Sequence, residues 1–236
     1  VRRSFLCSHD TVLEIGPGKG IITEILLQTC QKVLAVELDR ELYSSLIQRF
    51  KHERSRFQIV NQDILKYKLP KTPYKVFANI PFSIEGKIIR KLLNAENPPN
   101  DCYLVMRKDL AERLSGRKKE GQFSIFYKPW FDFEIFHQFQ KTDYEPMAKM
   151  DTVLLRFSKK KVPILLQQDK KNFIKIVGQG FGGGKRLEYN LRAFLSNKEY
   201  RTLSKQYEFS YRSKPSDLNL SQWKGIFDFL KKQKRV

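Results

Sequence analysis

Four consecutive residues, Asn79-Ile80-Pro81-Phe82, carry the most specific chemistry in the sequence. The Asn79 amide oxygen and the Ile80 carbonyl are two acceptors, and Pro81 biases the residue before it toward an extended conformation, which fixes where that carbonyl points. Two acceptors converging on the exocyclic amine of an adenine draw its lone pair out of conjugation with the ring, and a poor nucleophile becomes a usable one. Phe82 adds a flat face on which an extruded base can stack, and such a face also favours a positive charge beside it. Catalysis of this kind is orientation plus electrostatics and needs no general base before the transfer. A proline-containing strand exit with a buried phenylalanine is the plain alternative for the same four residues.

A second segment, Glu14-Ile15-Gly16-Pro17-Gly18-Lys19-Gly20, stands where a β-rich run gives way to a helical pattern. Glycines there permit positive φ and let a ligand approach the backbone. Glu37 ends the next β-rich run, about twenty residues on, where a carboxylate accepts both hydrogen bonds of a ribose diol. The spacing is not that of a nicotinamide fingerprint, because the third glycine comes one residue early. E-x-G-x-G-x-G suits a nucleoside ligand without a pyrophosphate, such as S-adenosylmethionine. Asp63, in Val60-Asn61-Gln62-Asp63-Ile64, closes the third run with an acid able to accept from an adenine amine; a turn cap is its ordinary role. Glu14, Gly16, Gly18, Glu37 and Asp63 are therefore the expected cofactor set.

Groups spread from Glu14 to Phe82 converge only if several strands end at one edge. Residues 11–15, 32–37, 57–60, 74–78 and 102–106 read as strands, with helical patterns following the first (Ile22, Ile25, Leu26), at 42–50 and at 84–93. Such alternation predicts an α/β fold, a mostly parallel sheet covered by helices. Residues 132–139 and 152–157 read as a closing antiparallel pair at the sheet edge, with Pro146 between them. After Lys159-Lys160-Lys161 the signals turn helical, so a domain is expected over 1–161 and a small helical one over 162–236. The glycine-rich stretch 178–184, followed by Lys185-Arg186, reads as an interhelical loop or as a phosphate cradle lacking the P-loop order.

The glycine loop, Asn61-Gln62-Asp63-Ile64-Leu65 and Asn79-Ile80-Pro81-Phe82 together resemble the rRNA adenine N6-methyltransferases. Gly18-Lys19-Gly20, Gln62-Asp63-Ile64-Leu65 and the Asn-Ile-Pro-aromatic form look more like the Erm 23S rRNA branch than the small-subunit dimethylases. The resemblance covers most of residues 11–157 and implies a Rossmann-like methyltransferase fold. It also implies S-adenosylmethionine as cofactor, Gly16, Glu37, Asp63 and Asn79 around it, and Asn79 and Phe82 at the target base. It implies resistance to macrolides, lincosamides and streptogramin B through methylation of one 23S adenine, and Tyr144, in Tyr144-Glu145-Pro146, as a second aromatic. Three departures stand out: the segment covering the cofactor's methionine side would lie before Val1, Glu85-Gly86 replaces a Ser-Thr pair, and Ala148 replaces a proline. A small-subunit rRNA dimethylase, a DNA adenine methyltransferase and a non-catalytic mitochondrial transcription factor are the alternatives; an intact Gly16, Glu37, Asp63 and Asn79 favours an enzyme.

Charge agrees with an RNA substrate. Lys and Arg number 45 against 25 Asp and Glu, a net charge of +20, and an excess of that size points to a polyanion. Residues 162–236 hold 16 of the basic and 6 of the acidic side chains, half the net excess, and this helical domain is expected to bind RNA. Arg107, Lys108 and Arg113, with Arg117-Lys118-Lys119, gather after the fifth strand and are candidate phosphate contacts, or a solvated helix face. No apolar run approaches membrane-spanning length. The three cysteines (Cys7, Cys30, Cys102) and three histidines (His9, His52, His137) share no metal spacing, so no metal is expected, and the thiols read as small core residues of a cytoplasmic protein. The expected partner is 23S rRNA before ribosome assembly is complete, met by a monomer.

Overall fold

The β-branched runs become strands whose pleat buries both faces. In a computed structural model describing residues 1–236 apart from Lys118, 144–149 and Lys185, the first half runs β1 (Thr11–Ile15), α1 (Ile21–Thr29), β2 (Lys32–Glu37), α2 (Arg40–Arg49), β3 (Phe57–Asn61), β4 (Lys75–Asn79), α3 (Glu85–Leu93) and β5 (Asp101–Arg107). Then follow α4 (Lys108–Ser115), α5 (Gln122–Tyr127), β6 (Phe131–Gln138), β7 (Thr152–Lys159), α6 (Lys170–Gly182), α7 (Leu187–Asn190), α8 (Asn197–Gln206) and α9 (Leu220–Lys232). The seven strands lie in the order β3-β2-β1-β4-β5-β7-β6. From β3 to β5 every pairing is parallel, and β7 runs antiparallel to β5. The expected antiparallel element is therefore present, with β7 inside the sheet and β6 outermost.

On one face Val12, Val33, Ala35, Phe77 and Val105 pack with Leu26 and Leu27 of α1 and Leu46 of α2. The alternate positions Leu13, Val76 and Leu104 are buried just as fully, as a sheet covered on both sides requires. Helix α2 starts where the Asp39 carboxylate accepts the Glu41 and Leu42 N–H groups at 2.8 and 2.9 Å, capping donors that lack a partner in the helix. Arg156 of β7 donates from Nε to the Asp101 carboxylate of β5 at 2.9 Å. Cys30 and Cys102 are buried, but Cys7 is exposed, because it sits in an N-terminal turn whose N–H donates to Asp10 at 2.7 Å.

The chain divides into two compact units: Val1–Ala111 with Phe133–Lys159, and Glu112–Asp132 with Lys160–Val236. A single break after Lys161 is the simpler reading of the sequence, whereas the structure draws Glu112–Asp132 into the helical unit through the packing of α5 on α6. That unit's core is aromatic. Phe173 meets Trp130 and Phe227 edge-on at 6.0 and 5.5 Å, while Trp223 stacks on Phe181 at 5.8 Å. The glycine-rich stretch is mostly helix and not the expected loop: residues 178–182 complete α6 and only Gly183 and Gly184 leave it, with the Asn190 amide donating to the Gly180 and Gly184 carbonyls at 2.6 and 3.0 Å.

Candidate active site

Strand register brings the distant residues to one level. Ile15 pairs with Val36, so Gly16 stands level with Glu37. The β1–β4 pairing of Glu14 with Phe77 places Asn79 level with Gly16. Glu37 pairs with Asn61, putting Asp63 just past the end of the third strand. Adjacent strands are about 4.8 Å apart, and strand order reverses between β1 and β4. The carboxyl ends of strands at such a reversal form the crevice in which open α/β sheets bind ligands.

The glycine loop is held open. Gly16 and Gly18 take φ of 64° and 58°, and a Cβ at either would meet nothing within 4 Å, which leaves room for a ligand to lie on the backbone. The buried Glu37 carboxylate fastens the loop, accepting Gly18 N–H at 3.1 Å on one oxygen and Asp39 N–H at 2.9 Å on the other. Each oxygen retains a lone pair for a further donor. Asn61 steadies the exit of β2 by donating to the Glu37 and Leu38 carbonyls at 3.0 and 2.9 Å. Asp63 caps a turn, its Oδ1 accepting Leu65 N–H at 2.8 Å.

Gly20 closes the loop at φ 80°, where a Cβ would stand 2.7 Å from Leu46 Cδ2 and 2.9 Å from the Phe50 ring. Gly20→Ala should therefore cost about 2–4 kcal/mol of stability, from backbone strain plus overpacking. Urea unfolding measures it, and an unchanged midpoint would refute the fit described for this turn.

Behind the loop Glu14 is 1% exposed. Its Oε2 accepts the Thr23 hydroxyl at 2.7 Å, while its Oε1 is buried with no hydrogen-bond partner. Burial first, and the neighbouring Glu37 charge in addition, push this carboxyl up to about 7 against the pull of the Thr23 bond. An orphaned acceptor this deep is costly and is matched by a ligand that brings a donor.

The tetrapeptide leaves β4 at the same edge. Ile80 is buried and its N–H donates to the Val105 carbonyl at 3.2 Å. Pro81 is extended at φ −61° and ψ 125°. Asn79 is exposed and Phe82 is 39% exposed. Asn79 also borders a largely apolar cavity of about 520 Å³ walled by Ile22, Ile25, Phe77, Val105 and Phe136.

Glu85 was not among the expected site residues. It opens α3 directly after the catalytic-looking turn, is 1% exposed, and gives both oxygens to one residue: Oε1 accepts Arg107 N–H at 2.8 Å and Oε2 accepts Arg107 Nε at 2.9 Å. Arg107, expected at RNA, thus joins the end of β5 to the start of α3. Lys108 is half-buried and donates to Gln138 at 3.2 Å. Arg113 belongs to the helical unit and also has a partner. Tyr144 lies outside the described residues.

The chain matches the ribosomal RNA adenine dimethylase family over residues 1–232. It belongs to that family. Among its relatives, an rRNA adenine N-6-methyltransferase of Bacillus anthracis is 31% identical, with 97% of this chain and 80% of the relative aligned. A ribosomal RNA small subunit methyltransferase A of a Nostoc species is 30% identical over 98% of this chain and 91% of its own length. In fold, the 23S rRNA methyltransferase ErmE superposes with a TM-score of 0.86 at 21% identity, covering 98% of this chain and 94% of that one. This family member is an S-adenosylmethionine-dependent rRNA adenine methyltransferase with a Rossmann-like fold and a helical C-terminal region. The residues present fit the cofactor, since an open glycine loop, the Glu37 carboxylate with lone pairs to spare and a buried unsatisfied Glu14 oxygen lie at the ends of β1 and β2. Among the described residues no His, Cys, Asp and Glu cluster could hold a metal ion, and no helix is long and apolar enough to cross a membrane.

Proposed function

We propose that this enzyme methylates N6 of one adenine in 23S rRNA, in the cytoplasm and before assembly is complete, and so confers macrolide, lincosamide and streptogramin B resistance. The observation that carries the catalytic half of this reading is the common level of Glu37, Gly16 and Asn79 at the strand reversal. Bound there, S-adenosylmethionine supplies an electrophilic methyl group, its sulfur keeping the bonding pair. Glu37 takes the ribose hydroxyls and Asp63 the adenine amine of that cofactor, while Glu14 faces its charged end. Asn79 Oδ1 and the Ile80 carbonyl accept the two hydrogens of the target amine, and Phe82 supports the base. The amine proton leaves to solvent after transfer. Lys108 and Arg113 contribute phosphate contacts, and Tyr144 is assigned to the second face of the base.

The small-subunit rRNA reading is supported by relatives of nearly equal identity bearing that name. Methylation of protein-free 23S and 16S rRNA, with primer extension to find the modified base, decides between them. Methyl incorporation confined to 23S is expected; incorporation into 16S transfers the enzyme to the other substrate, and none in either rejects both readings.

Glu37→Ala should weaken S-adenosylhomocysteine binding by about 1.5–3 kcal/mol, because a paired acceptor is lost and the Gly18 N–H is released with it. Calorimetry is the measurement. Equal affinity in the variant would take Glu37 out of the site.

A further inference from the structure

Helix α7 buries three of its four residues, Leu187, Glu188 and Asn190, and turns the fourth, Tyr189, outward with 51% of its surface exposed. Two arginines stand three residues to either side, both exposed. The Arg192 guanidinium carbon is 5.0 Å from the Tyr189 ring centroid and that of Arg186 is 5.9 Å from it. Arg186 leans on Glu188 at 3.6 Å, and among the described residues Arg192 has no acidic partner.

The backbone beneath this strip is fixed from both sides. Asn190 pins it to the Gly180 and Gly184 carbonyls, and the Leu187 N–H donates to the Ser213 carbonyl at 3.0 Å. A half-exposed aromatic ring is thus held on a fixed backbone, with two planar cations over it, in a stretch, 162–236, that carries half of the net positive charge.

Lone exposed aromatics are ordinary, but this combination matches one ligand chemistry. A π-face takes an unstacked base without regard to its identity, and the guanidiniums that lie over the ring in the free protein can turn to the phosphates on either side. We propose that Arg186, Tyr189 and Arg192 form a stacking site for a single-stranded segment of RNA, separate from the methyl-transfer crevice. The proposal rests on RNA being the substrate. A duplex offers this strip only phosphates, because its bases are already stacked.

The test uses the full chain without cofactor, a labelled single-stranded RNA of mixed sequence, and the same strand annealed to its complement. Tyr189→Ala should lose at least about fivefold in affinity for the single strand, the lower end of what one stacked base contributes, and much less for the duplex. Tyr189→Trp should bind as well as the unchanged chain. Arg192→Ala should lower the slope of log affinity against log salt by about 0.7. Single-strand affinity unchanged in Tyr189→Ala, or equal losses for both RNAs, would overturn the proposal. If neither rRNA accepts a methyl group while Tyr189→Ala still loses single-strand affinity, the substrate reading fails and the stacking site stands.

Discussion

Asn79→Ala should lower the single-turnover rate of methyl transfer by about a hundredfold or more, the scale seen when one pre-positioned polar group is removed from a developing charge. In the proposed mechanism the missing acceptor is one of only two that hold the adenine amine, and tighter RNA binding cannot replace it. Phe82→Ala should lose about 1–3 kcal/mol of base support, whereas Phe82→Tyr and Phe82→Trp keep a face and should retain transfer. Both positions are open to the crevice, Phe82 with 39% of its surface exposed, so the variants should fold. Measurement at saturating RNA and cofactor isolates the transfer step. A folded Asn79→Ala enzyme with a normal transfer rate would falsify the mechanism.

Glu14→Gln should make the free protein more stable in a pH-dependent way. The folded carboxyl keeps its proton up to about 7, against an ordinary value of 4.5. Between those values the folded state binds more protons than the unfolded chain, so stability falls as pH rises through the interval and then levels off. The ionisation penalty avoided by glutamine is on the order of 3 kcal/mol at about pH 8 and vanishes near the lower value. Parallel stability profiles for the two proteins in urea would dismiss the buried-carboxyl account. On the proposed placement the same group links pH to the cofactor, because a cationic ligand end beside Glu14 would favour the carboxylate. S-adenosylhomocysteine should therefore bind with proton release near neutral pH in the wild type, and with none attributable to this position in Glu14→Gln. Calorimetry in buffers of differing ionisation enthalpy reads that difference directly.

Much of the geometry of the candidate site was legible because its signals are local. Positive-φ glycines, an acid ending β2 and a proline after Asn79 each announce their geometry within a few residues, and β-α alternation implies a parallel sheet that aligns them. The strand ends fell within a residue or two of expectation, since apolar runs bounded by turns leave little choice. What escaped was what depends on distant partners. Arg107 looks like one more cation in a basic cluster, and only the positions of β5 and α3 reveal that Glu85, 22 residues earlier, takes it up. Helix α5 is too short to show a period, so nothing in Gln122–Tyr127 announces that it packs on α6. The Arg186-Tyr189-Arg192 spacing is visible in the sequence, but its exposure is not.

The Glu85–Arg107 pair also limits how this enzyme can be recombined with its relatives. A chimera that takes the segment through Glu85 but receives a β5 without an arginine at position 107 would bury a carboxylate facing no guanidinium. The reciprocal exchange would strand Arg107 at the rim of the crevice with its charge unopposed. The two positions therefore form one unit of exchange, although 21 residues separate them in the chain, and the boundaries for any domain or loop graft should fall before Asn79 or after Arg107.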